Sequence, residues 1–275
     1  MIKGYSSLLF ANPAVDAGSG GSFQELTVKF AHQKIITMKF SALFFSASIV
    51  LASCGFGGDR IDGNGSVTTQ ERTVSAFDEV EVGGNFKVYV IQGELKPVRI
   101  EGDQNLLEYI EFEETGDELK IRTRSGVNLH PTGDMKIYLT SPNFKSIQAS
   151  GASDILSEGK INNDSDIKIN VSGAGTIRMN IDAPAIESGI SGSGNIELTG
   201  ETKDLDLRIS GAGGAKCFDM KAENTKVEIS GAGDADVFAS VRLEASVSGA
   251  GNVSYKGDPK TVDQHVSGAG SVSKK

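Results

Sequence analysis

The 275-residue chain has no tryptophan, only two cysteines and three histidines, and just 7% aromatic residues. Two cysteines are too few for a disulfide framework or a structural zinc site. The formal net charge is −9 and no basic cluster occurs, which argues against a nucleic-acid surface, because phosphate binding needs grouped lysines and arginines. Glycine, by contrast, is abundant: 34 glycines without a collagen period indicate many tight turns.

An apolar run near the N-terminus indicates export. Residues 40–50 follow Met38 and Lys39 and are too short to span a bilayer comfortably, but they suit the apolar middle of a secretory signal. The next four residues, Leu51 to Cys54, resemble the lipobox of bacterial lipoproteins. The resemblance implies cleavage before Cys54, lipid attachment at its sulfur, and anchoring in the outer membrane. A buried strand that ends in cysteine is the alternative interpretation.

The chain divides into five predicted segments. Residues 1–37 precede a complete signal, so we interpret them as a misassigned start, with translation beginning at Met38. Residues 38–53 form the lipoprotein signal peptide, and the glycine-rich residues 54–73 a flexible tether. Residues 74–149 form an irregular β-rich part, and residues 150–275 a regular repeat.

The repeat is built on the motif Ser-Gly-Ala-Gly or a close variant. Its seven copies begin at Ser150, Ser172, Ser191, Ser210, Ser230, Ser248 and Ser267, at intervals of 22, 19, 19, 20, 18 and 19 residues. A fixed period near twenty is typical of a stacked repeat architecture. Hydrophobic residues alternate in twos before and after each motif, as in Ile167, Ile169 and Val171, which predicts short strands with one buried face.

These features predict an all-β protein: a single-stranded, right-handed parallel β-helix with 19–20 residues per coil. Each glycine corner needs either a positive φ or a very close backbone approach. The predicted corner glycines are Gly151, Gly173, Gly175, Gly192, Gly194, Gly211, Gly213, Gly231, Gly233, Gly249, Gly251, Gly268 and Gly270. The residues that follow the corners would form a polar ladder for a ligand, namely Asp154, Thr176, Asn195, Asp234 and Asn252.

The less regular part, residues 74–149, is predicted to supply starting coils that also cap the open end of the stack. Residues 105–109 favour one helical turn, with Leu106, Leu107 and Ile110 pointing inward. A separate β-sandwich is the less favoured alternative, because residues 144–150 run into the first repeat without a linker.

Four segments carry a resemblance to a known family. Residues 77–82 (FDEVEV), 84–93 (GNFKVYVIQG), 119–121 (LKI) and 142–147 (PNFKSI) lead into the serial glycine motifs. Together they resemble the head-GIN domain family of auto-transporter adhesins, exported bacterial β-helix proteins often carried on lipoproteins. The resemblance covers the chain from about residue 74 onward. Two residues depart from the repeated motif: Ser153 replaces the second glycine of the first copy, and Ser193 replaces the alanine of the third.

Signatures of catalysis and cofactor binding are weak. Residues 231–236 superficially match a dinucleotide loop, but that loop needs a following helix and occurs once per unit, whereas this motif is serial. Calcium-binding repeats have a nine-residue period with an aspartate in every copy, which this chain lacks. His130 and His265 fit no Ser-His-Asp or Cys-His grouping. We expect no cofactor, no metal and no catalytic residue.

The sequence therefore predicts a lipid-anchored module of the cell envelope that binds or supports rather than catalyses. It would present rows of polar side chains to a glycan or protein partner. One alternative is a carbohydrate-active enzyme, for which the outward candidates are Asp204, Asp206, Glu228 and Glu244, with Arg208 and Lys226 nearby. Another is a structural protein that stacks end to end, although the terminal Lys274 and Lys275 disfavour an open edge.

Overall fold

The computed structural model describes residues 58–275, so the predicted segments 1–37 and 38–53, together with Cys54, lie outside the described residues. This part of the chain forms 21 strands and one 3₁₀ turn. The strands are β1 (Asp59–Asp62), β2 (Val67–Arg72), β3 (Glu79–Gly84), β4 (Lys87–Gln92), β5 (Val98–Asp103), β6 (Ile110–Thr115), β7 (Glu118–Thr123), β8 (Val127–His130), β9 (Lys136–Ser141), β10 (Ser146–Gly151), β11 (Asp154–Asn162), β12 (Ile167–Gly173), β13 (Thr176–Gly192), β14 (Asn195–Gly211), β15 (Gly214–Lys216), β16 (Met220–Gly231), β17 (Asp234–Phe238), β18 (Arg242–Gly249), β19 (Asn252–Lys256), β20 (Thr261–Gly268) and β21 (Ser271–Lys274).

Parallel coils stack into a β-solenoid of about seven turns, which confirms the predicted fold class. Two stacks of strands define two faces. Face A consists of the strands that precede each glycine corner, in the order β7, β3, β10, β12, the second half of β13, the second half of β14, β16, β18 and β20. Face B consists of the strands that follow each corner, in the order β9, β4, β11, the first half of β13, the first half of β14, β15, β17, β19 and β21.

The alternating sequence pattern is the reason why these strands form a solenoid. In β12, Ile167, Ile169 and Val171 are buried, while the intervening residues are exposed or half-buried. One continuous hydrophobic cluster runs from Val74 to Val253. Since a single coil buries no apolar face of its own, stability depends on the contact of each coil with its neighbours.

The first glycine of each corner adopts a left-handed backbone conformation. In all seven copies its φ lies between 87° and 131°. A Cβ added at Gly192 would also lie 2.6 Å from the carbonyl oxygen of Gly173 in the preceding coil. Both the conformation and the space therefore require glycine at this position.

The second glycine of each corner is required for a different reason. Gly233 has no positive φ, but a Cβ there would lie 2.6 Å from the Gly213 carbonyl oxygen and 2.6 Å from Cγ2 of Ile209. Close approach of the coils, rather than backbone conformation, excludes a side chain. The two glycines of one motif thus meet the two predicted requirements separately.

Ser153 fits at the corner that the sequence marks as irregular. It is fully buried, and its hydroxyl oxygen accepts the backbone N–H of Phe86 at 3.2 Å. The register is kept, because Asp154 still pairs with Thr176 in the next coil. In the preceding coil, the residue in register with Ser153 is Phe86 rather than the second glycine of a Ser-Gly-Ala-Gly motif. The Ser153 side chain therefore has space, and its hydroxyl has the Phe86 N–H as a hydrogen-bond partner.

Antiparallel strands close the N-terminal end of the stack. Strands β6 and β7 form a hairpin on face A, while β5 pairs antiparallel with both β9 and β2 on face B. The 3₁₀ turn at Leu107–Tyr109 lies between β5 and β6 and confirms the predicted helical turn. Leu106, Leu107 and Ile110 are all buried, as expected.

The described part of the predicted tether is not a flexible linker. Strand β1 pairs in parallel with β8, and β2 pairs antiparallel with β5. The Arg72 guanidinium donates hydrogen bonds to the carbonyl oxygens of Leu107 and Ile110, at 2.8 and 2.6 Å. Partners distant in sequence therefore order a segment whose own composition is polar and glycine-rich. No helix in residues 58–275 combines the length and the apolar character needed to span a membrane.

Candidate binding face

The outward side chains of face A stand in straight columns, because the coils are stacked in register. The serine column consists of the seven motif serines. Two residues earlier on each strand, the Arg208 column consists of Gln148, Asn170, Gly189, Arg208, Glu228, Ser246 and His265. Two residues earlier again, the Asp206 column consists of Ser146, Lys168, Glu187, Asp206, Lys226, Glu244 and Asp263.

Two neighbouring depressions lie on face A. The first, of about 450 Å³, is lined by five members of the Asp206 column, from Lys168 to Glu244, and by Asp166, Ala185 and Asp204. The second, of about 550 Å³, is lined by the five middle members of the serine column, from Ser172 to Ser248, and by the five middle members of the Arg208 column, from Asn170 to Ser246. Arg208 lines both depressions. Together they form a trench that crosses several coils.

Small residues open the trench. Gly189 stands in the Arg208 column where the adjacent coils carry Asn170 and Arg208. A Cβ at Gly189 would lie 2.5 Å from the side-chain oxygen of Asn170, so a larger residue would displace that amide. The serines of the adjacent column also have short side chains, so the floor of the second depression lies close to the backbone.

Three carboxylates surround the Arg208 guanidinium. It lies 3.0 Å from Glu187, 2.6 Å from Asp206 and 3.5 Å from Glu228, measured between nitrogen and oxygen atoms. These negative charges, first among them Asp206, raise the pKa of Arg208. Because Arg208 is about half exposed, each pair adds little to stability, but together they fix the direction of its N–H groups.

Neighbouring carboxyl groups in the trench have opposite pKa shifts. Burial raises the pKa of Asp206 above its usual value, and its second oxygen, Oδ1, has no hydrogen-bond partner among the described residues. The pKa of Glu228 is lowered, chiefly by the hydrogen bond from Lys226, whose nitrogen lies 2.6 Å away. The trench therefore combines a carboxyl group that holds its proton more tightly with one that releases it more readily.

Five of the outward candidates named from the sequence line the first depression, namely Asp204, Asp206, Arg208, Lys226 and Glu244. The sixth, Glu228, lines the second. Asn170, Ala185 and Gly189 were not predicted to belong to a site. Aligning the repeats on the motif serines would have revealed Gly189, because the other six copies all have a side chain at this position.

The predicted ligand ladder forms a column at the start of face B, on the other side of the glycine corner. Its members are Asp154, Thr176, Asn195, Asp234 and Asn252, interrupted by Gly214 and followed by Ser271. Several of these side chains bind one another. The Asn252 amide donates to Asp234 at 2.9 Å, and the Ser271 hydroxyl donates to Asn252 at 2.8 Å. Ligand binding by this column stays a prediction.

Other reactive groups of the described residues lie apart from the trench. Cys217 is fully buried in the core, and burial raises the pKa of its thiol to about 12. His130 lies on β8 and His265 on β20, at the N-terminal and C-terminal ends of the stack. Within residues 58–275, no three His, Cys, Asp or Glu side chains are arranged to hold a metal ion.

Comparison with known families gives one match. The model of the family described as "Putative auto-transporter adhesin, head GIN domain" matches residues 76–259. This range includes all of the trench and all but the last corner motif. No curated protein matches the chain.

Solved bacterial structures share the fold. A protein described as a putative adhesin from Bacteroides fragilis superposes with a TM-score of 0.74 at 22% identity, over 78% of this chain and 100% of that one. A protein described as a putative lipid binding protein from Parabacteroides distasonis gives 0.65 at 27% identity, over 79% and 100%. A protein described as a putative adhesin from Parabacteroides merdae gives 0.63 at 25%, also over 79% and 100%.

Proposed function

The chain belongs to the family described as "Putative auto-transporter adhesin, head GIN domain", and from this premise we propose that it is an exported adhesin that binds an extended glycan along face A. The observation that carries the proposal is the trench centred on Arg208. It is open along the stack, is lined by short side chains, and displays fixed polar groups. An elongated ligand can follow the columns and meet one set of side chains per coil.

The chemistry of the trench favours a hydroxyl-rich ligand. Its four cations are all paired with carboxylates, as Arg208 is with Asp206, so none is free to select a strongly anionic partner. Carboxylates, serines and Asn170 supply planar or short hydrogen-bonding groups that suit the hydroxyls of a sugar. The lining contains no aromatic residue, whereas protein interfaces commonly depend on aromatic anchors.

A lipid anchor completes the proposal. The lipobox resemblance at Leu51 to Cys54 supports attachment of the exported protein to the outer membrane through Cys54. Mass spectrometry of the exported protein tests this directly: the N-terminal peptide should begin at Cys54 and carry acyl groups. An unmodified Cys54, or any peptide from residues 11–29, would contradict the anchor and the start at Met38, respectively.

Glycan binding is tested on arrays of bacterial and host glycans with residues 58–275, in which 19 of the 21 strands form one sheet around one hydrophobic core. R208Q should weaken binding at least about tenfold, equivalent to roughly 1.4 kcal/mol, because it removes the central fixed donor. R178Q is the matched control: Arg178 lies on face B, pairs with Glu197 at 2.9 Å and has the same 48% exposure. Equal effects of both variants would argue against face A.

A carbohydrate-active enzyme is the second candidate function, favoured by the opposite pKa shifts of Asp206 and Glu228. Two carboxyl groups with separated pKa values are what acid and base catalysis of glycoside cleavage requires. Incubation of the protein with the glycans that it binds distinguishes the functions. Shortened products that D206N no longer forms would favour the enzyme, whereas unchanged glycans would favour the adhesin.

A further inference from the structure

Strand β20 lies at the edge of face A in the part of the chain that the structure describes. Within the described residues, β20 pairs only with β18, so the backbone groups along its other side have no partner in the sheet. Val262 and Val266 continue the inward row that Leu243 and Val247 occupy one coil below. The two lower residues are fully buried, but Val262 and Val266 are 37% and 40% exposed.

The side chains of this edge are arranged symmetrically about Gln264. One residue away on either side are the acid Asp263 and the base His265, and two residues away are Val262 and Val266. Three residues away are two small hydroxyl residues, Thr261 and Ser267. A strand with this pattern is chemically complementary to a second copy of itself that runs in the opposite direction.

We propose that β20 pairs antiparallel with β20 of a second copy, about a two-fold axis that passes through Gln264. In this register Val262 lies opposite the partner's Val266, so the exposed inward rows cover each other. Asp263 lies opposite the partner's His265, and Thr261 lies opposite the partner's Ser267. The proposal is independent of glycan binding.

One contact within the chain already orients the acid. Arg242 of β18 lies 2.7 Å from the Asp263 carboxylate and 3.6 Å from Glu244. Asp263 is thus held on the outer surface of the edge, where its second oxygen can accept from an imidazole. Ser246, the neighbour of His265 on β18, brings no competing charge.

The same features predict a closed dimer instead of a fibre. A two-fold contact uses the same patch on both copies and leaves no free complementary surface. At the other end of face A, the outer strand β6 carries Glu111, Glu113 and Glu114, and acidic side chains on an edge disfavour further pairing. On face B, the outer strand β21 carries Lys274, and a charged side chain on this edge likewise disfavours pairing. The contact between copies is therefore limited to β20.

Sedimentation velocity over a wide range of concentrations tests the proposal with residues 58–275 and with the full exported chain in detergent. The wild type should form a reversible dimer. H265D should weaken it roughly tenfold, because two carboxylate–carboxylate pairs would replace two pairs in which an imidazole can donate to a carboxylate. The exchange D263H/H265D should restore it. V266K should abolish the dimer but keep the fold, because Val266 is half-exposed in the single chain.

Q148E is the matched control, since it also adds one negative charge in the Arg208 column but far from the edge. It should leave the dimer unchanged, and circular dichroism should show native β-structure for every variant. A monomer at all concentrations would overturn the proposal. So would a dimer that resists H265D and V266K, or polymers that grow with concentration.

Discussion

The Asp103 carboxylate accepts two hydrogen bonds from Thr132, one from the backbone N–H at 2.7 Å and one from the hydroxyl at 2.8 Å. It also accepts the backbone N–H of Gly65 at 2.7 Å, and only 2% of the residue is exposed. A single buried carboxylate thereby holds the segment before β2 and the loop before β9 against the end of β5. The hydrogen bond from the Thr132 N–H is the main reason why the pKa of Asp103 is lowered.

D103N should therefore lower the free energy of unfolding at neutral pH by about 2 kcal/mol, since charge-assisted hydrogen bonds are lost. Because the pKa of Asp103 is lower in the folded protein, its contribution is present above the unfolded value of about 3.9 and is lost as the pH falls through the folded value. Urea unfolding at several pH values checks both effects. D117N, at an exposed turn, should change neither, and an equal loss there would contradict the assignment.

The corner glycines give a second prediction. G192A should destabilise the protein by about 2–4 kcal/mol, because φ is 116° at Gly192 and the new Cβ would meet the Gly173 carbonyl. Thermal unfolding measures the loss. S193A changes the residue between the two corner glycines of the same copy to the alanine found in other copies, so it should be nearly neutral. Comparable losses in both variants would show that the whole corner is sensitive, rather than the glycine.

The corners and the coils could be predicted from the sequence because their causes are local. A corner whose backbone requires glycine has a glycine in every copy of the repeat. A strand with one buried face has hydrophobic residues at alternate positions of the sequence. The order of residues 58–72 could not be predicted, since it depends on Asp103 and on the Leu107 and Ile110 carbonyl groups, which lie far along the chain.

The trench was only half visible in the sequence. Charged residues such as Asp206 and Arg208 were recognised as outward, but charges at outward strand positions ordinarily belong to a solvated face. The depression forms because Gly189 has no side chain while Asn170 beside it has one. This difference in side-chain length matters only when the coils are stacked in register. The pKa shift of Asp206 likewise depends on burial by neighbouring coils, which composition does not reveal.

The buried thiol gives a third prediction. In residues 58–275, Cys217 is the only cysteine, and burial raises its pKa to about 12. Thiolate is the reactive form, so alkylating reagents should leave the folded protein unmodified at neutral and mildly alkaline pH and modify it fully in denaturant. An S230C variant supplies a matched thiol in the exposed serine column, and it should react promptly. Stoichiometric labelling of native wild type would contradict the burial of Cys217.

The last prediction concerns the coupled charges of the trench. Carbon-detected NMR titration should place the pKa of Asp206 above the usual value for aspartate and that of Glu228 below the usual value for glutamate. The Arg208 charge lowers the pKa of both groups, so R208Q should shift both titrations upward. R178Q, on face B, should shift neither. If R208Q left both pKa values unchanged, the guanidinium would not govern the electrostatics of the trench, and a loss of glycan binding in that variant would have to come from the missing hydrogen bonds alone.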